Sequence, residues 1–387
     1  MSGSPPLRTP RRVLVTGGAG FIGSFVVEAL VARGDAVRVL DCFDPQVHGP
    51  DARPALPTAV ELQRADVRDR AACEAALADI DAVVHCAAAV GVGQSLYRVE
   101  HYVDVNVRGT ATLLECITQR TERVRKVVIP TSMTGYGEGL YRRPSDGRHV
   151  RVGVRSEADI AAHGWDPVCP ETREPLEPVP TPEDAALLAQ NVYALTKRWQ
   201  EELALGLGGV YRLPVVCLRL FNVYGPRQSL SNPYTGVLAI FLARLLAGER
   251  PVVYEDGGQT RDFISVHDVV GAVLAALDGP GADGTVVNVG SGNARCIGDV
   301  ARALAQAAGR PEIVPEVTGA FRRGDVRHCT ADATRARRLL GVTPRVTWED
   351  GLAELVAWAR GAATEDRFAV AADELRARGL VTERIRS

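Results

Sequence analysis

The segment that most limits what this chain can fold into is Thr16-Gly17-Gly18-Ala19-Gly20-Phe21-Ile22-Gly23. It lies between an apolar strand-like run and a segment of helical period. Glycines at 17, 20 and 23 leave no side chain where the backbone must turn tightly and where amides must approach a pyrophosphate at a helix N-terminus. A glycine string alone signifies a tight turn; the strand before it and the helix after it shift the reading to a dinucleotide. Phe21 and Ile22, opening that helix, belong to the same cofactor loop. Asp41 closes the next strand, where a carboxylate accepts hydrogen bonds from the adenosine ribose and repels a 2′-phosphate, favouring NAD over NADP. Asp66-Val67, after the third strand, is expected near the adenine, although Asp66 is equally able to cap the helix that follows.

Strand-like runs at Arg12–Thr16, Ala36–Asp41, Val60–Arg64, Ala82–His85 and Lys126–Thr131 alternate with helical segments such as Phe21–Arg33 and His101–Arg120. That alternation predicts a parallel sheet with helices on both faces. It stops after Gly137. Glu138–Ala189 is rich in Pro, Gly, Arg and Glu and is expected as a long irregular insertion, functional or mobile; within it, Glu174–Pro182 holds too many prolines for a regular helix. Helical period returns at Gln190–Leu207, followed by a strand at Pro214–Leu220, and the tail after Ala363 reads as an exposed amphipathic helix. The 387 residues suffice for one large domain or two. A net charge of −2 offers no basic surplus for nucleic acid or anionic lipid. No apolar run reaches the ~18 residues of a membrane span, and no secretion signal is read in Met1–Arg12. The eight cysteines contain no Cys-x-x-Cys, so reduced thiols in a cytoplasmic protein without bound metal are expected.

Tyr193 and Lys197 form Tyr-x-x-x-Lys, a spacing that puts both side chains on one helical face. A phenol titrates near pH 10. A neighbouring ammonium and an oxidised nicotinamide favour the phenolate, making Tyr193 a usable general base, and Lys197 also suits the nicotinamide ribose. Alone the pattern is common by chance. It gains weight from Thr131-Ser132-Met133-Thr134-Gly135-Tyr136-Gly137 at the end of the fifth strand, where open parallel sheets place ligands.

The loop, Asp41, Ser132, Tyr-x-x-x-Lys, Arg219-Leu-Phe-Asn-Val-Tyr-Gly-Pro-Arg227, Arg261-Asp-Phe-Ile-Ser-Val-His-Asp268 and Asn288-Val-Gly-Ser-Gly292 together resemble the nucleotide-sugar epimerase/dehydratase family of extended short-chain dehydrogenases/reductases, over about Val13 to Trp358. The resemblance implies an α/β fold: a Rossmann-type doubly wound parallel sheet over 1–220, carrying the insertion 138–189, interleaved with a smaller mixed α/β nucleotide-sugar-binding region over 221–387. It implies tightly held NAD, contacted also by Ala87, Ala88 and Asn106, and a nucleoside-diphosphate sugar as substrate. Ser132, Tyr193 and Lys197 take the catalytic roles. Thr134, Asn222, Arg227, Val253, Tyr254, Arg261 and Arg327 take the substrate, the arginines suiting the diphosphate. A homodimer through His101–Arg120 and Gln190–Leu207 is expected.

Members of that family first oxidise a sugar hydroxyl and then diverge. Its dehydratases carry an acidic pair directly after the catalytic Ser or Thr; here Met133 and Thr134 stand there, and neither exchanges the proton that elimination needs. The glutamate of related decarboxylases is also missing. What remains is oxidation, rotation of the keto sugar and hydride return to the opposite face, hence epimerisation, most often at carbon 4. Val90-Gly-Val-Gly-Gln-Ser-Leu-Tyr97, Gly135–Tyr141, Ser231–Gly236 and Arg323–Asp332 resemble the dTDP-L-rhamnose 4-epimerase group. In that group the insertion tends to carry paired cysteines like a zinc knuckle. This chain keeps Cys169 but has Arg143 where a cysteine is expected, and one thiol does not hold structural zinc. Gln190-Asn191 replaces the Ser or Thr that commonly precedes the tyrosine. A UDP-sugar 4-epimerase, a 2-epimerase and a keto-sugar reductase remain alternatives, as does a non-catalytic NAD-sensing protein, against which the intact Ser132, Tyr193 and Lys197 speak.

Overall fold

The computed structural model describes residues 9–49, 56–234, 236–362 and 366–382. Seven strands, β1 (Arg12–Thr16), β2 (Ala36–Asp41), β3 (Glu61–Arg64), β4 (Ala82–His85), β5 (Lys126–Ser132), β6 (Val215–Leu220) and β7 (Thr285–Val289), form one parallel sheet in the order β7-β6-β5-β4-β1-β2-β3. Each central strand is apolar on both faces because helices cover both. Val13 and Val15 of β1 pack with α1 (Phe21–Ala32), whereas Leu14 between them points to the other side, where α2 (Arg70–Ala76), α3 (Gly109–Thr118) and α4 (Val192–Tyr211) lie. The α1 face is completed by α5 (Val266–Asp278). Each such buried valine or leucine contributes about 1.5–3 kcal/mol. The connections out of β1 and β4 leave in opposite directions, and a crevice opens between their carboxyl ends.

A second hydrophobic core joins the helices Val237–Leu246, Ile297–Ala307 and Trp348–Ala359 to Tyr224 and Phe263. The chain is interleaved with the first core, since α5 and β7 both return to the central sheet after residue 221.

Three expectations need correction. The continuous helix His101–Arg120 is interrupted: a helix at Val99–Val103 passes through a π-turn at Asp104–Arg108 before α3 begins. The widened turn buries Asn106, whose amide bonds Ala89 N at 2.7 Å, Ala89 O at 3.0 Å and Thr196 Oγ1 at 2.9 Å. The insertion is not irregular. Leu140–Arg142 pairs antiparallel with both His149–Arg151 and Glu177–Val179, and Glu157–His163 is helical behind the cap of Ser156. Pro178 is tolerated because its strand lies at the edge of that three-stranded sheet. The tail helix, Phe368–Ala377, is amphipathic but not free: Ala371, Ala372 and Leu375 are buried and Val370 faces outward.

Tyr141, Val152, Cys169 and Leu176 make a small core inside the insertion. The Arg143 guanidinium lies 3.8 Å from Cys169 Sγ and also bonds Asp146. The Thr172 hydroxyl, the amides of Thr172 and Glu171 and then Arg143 pull the thiol down to about 7. A fixed cation thus already occupies the sulfur's surroundings, and among the described residues no group of His, Cys, Asp and Glu is placed to hold a metal. We expect purified protein to contain no stoichiometric zinc and its melting temperature to be indifferent to a chelator. One zinc per chain by elemental analysis would overturn this.

Candidate active site

The crevice is a cleft of about 410 Å3, within the range of small-molecule sites. Its floor is backbone. Gly17 has φ +65°, and a Cβ there would come within 2.7 Å of Ala87 N; one on Gly23 would come within 2.1 Å of Gly17 O. Gly20 caps α1 without a side chain, so the first-turn amides at Phe21, Ile22 and Gly23 stand at the cleft wall. Asp41 accepts from Ala19 N at 3.0 Å and Phe43 N at 2.9 Å, with His48 Nε2 at 3.7 Å. Burial works to raise its pKa, but His48 and the two amides outweigh burial and hold it below the usual carboxylate range. An ionised acid therefore waits at the ribose end. Asp66 does not cap α2; Asp69 does, accepting from Ala71 N and Ala72 N. Asp66 instead holds the Arg68 guanidinium, 2.7 Å away, and with Val67 lines the cleft. Ala87 and Ala88 line it as well, whereas Asn106 stands behind them and clamps Ala89. A backbone cradle with no room for Cβ atoms, an uncapped helix start and an ionised acid fit NAD.

The groups expected to be catalytic meet beside the end of β5. Ser132 starts the 3-10 turn Met133–Tyr136, and its Oγ accepts from Thr134 N at 3.2 Å and Thr134 Oγ1 at 2.9 Å. Asn191 caps α4 by accepting from Ala194 N at 2.9 Å, a contact worth about 1 kcal/mol. Two positions on, Tyr193 N donates to Ser95 Oγ at 3.0 Å, and the Tyr193 ring meets Tyr102 edge-on at 6.4 Å. Lys197, one turn later, donates to Pro130 O at 3.4 Å. Burial pushes the Tyr193 phenol up to about 12, opposed by its hydrogen bond with Ser132, and pushes the Lys197 ammonium down to about 8. The structure thus brings Ser132, Tyr193 and Lys197 together in the cleft lining.

Several supports carry no sequence signal of their own. His85 is buried between Thr16 Oγ1 at 2.7 Å and Thr110 Oγ1 at 2.8 Å, and burial pushes it down to about 3, so it is neutral. Arg219 of β6 is paired with Glu201 of α4 and lies 4.8 Å over the Tyr136 ring, tying the catalytic helix to the sheet. Gln94, Ser95 and Tyr102 stand within quoted or periodic segments, yet only the fold turns them toward Tyr193.

The substrate residues divide. Asn222 lines the cleft with its Oδ1 buried and unbonded, and Gln228, which the sequence did not single out, does the same with Oε1. Arg227 is there too, 4.4 Å over Phe25 and 2.8 Å from Glu28. Thr134 stays beside Ser132. Thr134, Val253, Tyr254, Arg261 and Arg327 lie outside this lining. Arg261 donates to the carbonyls of Thr260, Val326 and Arg327 and to Asp325. Arg327 is buried among Asp166, Glu255 and Asp256, at 2.7, 2.9 and 2.7 Å. Val253 belongs to the second core, and Tyr254 packs near Leu375. Both arginines are satisfied by partners that adjacent loops supply, which spacing alone does not reveal.

Residues 13–151 and 169–290 match the model of the NAD dependent epimerase/dehydratase family. The gap falls on the helical part of the insertion. The dTDP-L-rhamnose 4-epimerase of Burkholderia thailandensis is 40% identical over 90% of this chain and 94% of its own length. Among solved structures, the UDP-glucose 4-epimerase of Thermotoga maritima with UDP-glucose matches with a TM-score of 0.74 at 29% identity, covering 90% of this chain and 98% of that one. The Thermus thermophilus UDP-glucose 4-epimerase with NAD matches with a TM-score of 0.69 at 32% identity, covering 91% and 100%.

The depressed pKa of Lys197 has a consequence for the cofactor-free protein. Its ordinary value is 10.5 and its folded value about 8, so below pH 8 both folded and unfolded chains bind the proton and burial of the ammonium costs stability. As pH rises from 8 toward 10.5 the folded chain is already neutral, and the cost fades. Lys197→Met is therefore expected to raise the melting temperature of the cofactor-free protein at pH 7, by a margin that shrinks as pH approaches 10.5. A lower melting temperature at pH 7 by scanning calorimetry would show that the lysine is not a net burden.

Proposed function

Because the chain belongs to the NAD dependent epimerase/dehydratase family, we propose that it is a nucleotide-sugar epimerase, acting at carbon 4 of a dTDP-6-deoxyhexose such as dTDP-L-rhamnose. The observation that carries the chemistry is that Ser132, at the carboxyl end of β5, and Tyr193 and Lys197 of α4 line one cleft, beside a cradle that fits NAD. The likeness to the Burkholderia thailandensis enzyme supports the deoxysugar.

Bound NAD supplies a hydride acceptor that later returns the hydride to the sugar. The chain does the rest. Gly17, Gly20, Phe21, Ile22 and Gly23 hold the pyrophosphate end, and Asp41 selects against a 2′-phosphate. Ser132 orients the sugar hydroxyl. Tyr193 takes its proton as the ketone forms and gives a proton back when the ketone is reduced. Lys197, on the same helical face, holds the nicotinamide ribose and favours the phenolate. Met133 and Thr134 keep the reaction away from elimination, since neither moves the proton that loss of a neighbouring hydroxyl requires. Asn222 and Gln228 present unbonded oxygens to donors on the substrate, and Arg227 stands beside them for the diphosphate.

A homodimer in the cytoplasm completes the proposal. Exposed Val99 and Trp199, on the segment before α3 and on α4, support an interface there, and eight free cysteines support a reducing compartment. A single-chain mass by light scattering, or recovery in a secreted fraction, would refute these two points.

Tyr193→Phe is expected to lower turnover of dTDP-L-rhamnose by about 10²–10⁴-fold, the usual cost of losing general-base catalysis, while NAD and nucleotide-sugar binding survive because the ring still fills its place. Ser132→Ala should slow the reaction less. Substrate deuterated at carbon 4 should keep its label in the product, because the hydride returns to the carbon it left. Full activity in the Tyr193→Phe protein sinks the mechanism. Label lost to solvent sinks it too, pointing to deprotonation next to a ketone.

A further inference from the structure

Two segments border the cleft, residues 91–97 after β4, through Gln94, and residues 228–234 after β6, through Gln228 and Asn232. The tail helix Phe368–Ala377 meets both. Glu374 Oε2 lies 2.5 Å from Tyr97 Oη and 2.6 Å from Tyr234 Oη, and the two phenol oxygens are 2.7 Å apart. Two phenolic protons serve three short edges, and a carboxylate is the stronger acceptor, so Glu374 draws both. Bonds from Tyr234 and then Tyr97 hold its pKa below the usual carboxylate range, so it stays ionised near neutral pH. Arg378 stacks 4.2 Å over the Tyr97 ring. The helix also presses Leu375 onto Gly93, where a Cβ would sit 3.5 Å from both leucine methyls.

The first of these segments is the one that supports the phenol at Tyr193. Ser95 Oγ receives Tyr193 N, Gln94 Oε1 receives the Tyr102 hydroxyl at 3.1 Å, and the Tyr102 ring lies edge-on to Tyr193. The second segment touches the first: a Cβ on Gly91 would be 3.0 Å from Tyr234 Cβ. We propose that Glu374 is a positioning residue for the reaction, tying Tyr97 to Tyr234 so that segment 91–97 is pressed against the first turn of α4 and the Tyr193 phenol is fixed relative to the substrate side of the cleft. The proposal rests on Tyr193 being the base.

Misplacing a reacting group by an ångström costs about 100-fold, and a loosened support is expected to cost about tenfold. In Glu374→Ala, kcat should fall about tenfold with bound NAD retained, and amides in 91–98 should exchange hydrogen about tenfold faster. Glu374→Gln, which keeps an acceptor, should recover most of both. Should Glu374→Ala fail to fold, Tyr234→Phe removes the two edges that its hydroxyl makes and is judged by the same readouts. Wild-type exchange at 91–98 overturns the proposal. Faster exchange with unchanged kcat overturns it as well, and so does a change confined to KM. The exchange measurement needs no substrate, so a wild-type protein that turns over no dTDP-sugar would sink the proposed function while leaving the clamp separately testable.

Discussion

Everything at the cleft depends on how closely the backbone after β1 approaches the backbone after β4. The would-be 2.7 Å contact between a Gly17 Cβ and Ala87 N shows that no side chain fits between them. With that approach made, α1 starts just past the carboxyl end of β1 with no side chain capping its first turn, and the Gly23 position lets the helix close onto Gly17 O. A larger residue at either place would push α1 away from the sheet and open the crevice at its base. The same approach sets the distance to β5, the next strand over, where Ser132 ends the sheet. The glycine loop and Ser132 are thus placed together by one spacing.

The reacting groups are held by burial, and burial works against their charged forms. Tyr193 and Lys197 are 8% and 6% exposed, which raises the first pKa and lowers the second. Folding tolerates this because neighbours are polar but neutral: His85 is uncharged between two hydroxyls, Thr110 Oγ1 also receives Gln200 Nε2 at 2.6 Å, and Asn106 bonds Thr196. Arg219 of β6 and Glu201 of α4 form an ion pair that is buried and doubly bonded. Removing one partner of such a pair typically costs about 3–5 kcal/mol, so its contribution is to fix the helix rather than to add net stability.

The sheet, the glycine loop, Asp41 and the Tyr193–Lys197 pair were legible because each is local: a period, a turn or a spacing of four on one helix. What escaped was non-local. Asn106 is expected at the cofactor only through the resemblance; the helical period gives no sign of the π-turn that rolls it inward. The insertion's prolines argued against helix but did not reveal three short antiparallel strands, whose pairing depends on partners up to 39 residues apart, as for Leu140 and Val179. Gln228 and Glu374 have no motif at all; their meaning comes from what faces them. Arg261 and Arg327 show the converse, a motif whose side chains the fold engages elsewhere.

That engagement explains how the insertion is held. Glu138, fully buried at its start, accepts from Arg327 N at 2.8 Å, from the Tyr141 hydroxyl at 2.9 Å and from Arg155 Nε at 3.0 Å. Arg155 then bonds Glu255 at 2.7 Å, and Arg327 bonds Glu255 and the insertion's Asp166. Two acids and two arginines at under 10% exposure are stable only as a closed set, since any one left alone would carry an uncompensated charge. Half of that set belongs to the insertion and half to the loops around 255 and 327, so the two cannot separate without breaking the Arg155–Glu255 and Arg327–Asp166 pairs. The chain between Ser132 and Tyr193 is consequently anchored at its first residues to the C-terminal loops. The segment that joins Ser132 to Tyr193 is therefore braced against the C-terminal loops, while Tyr97 and Tyr234 beside the cleft are tied to the tail helix through Glu374.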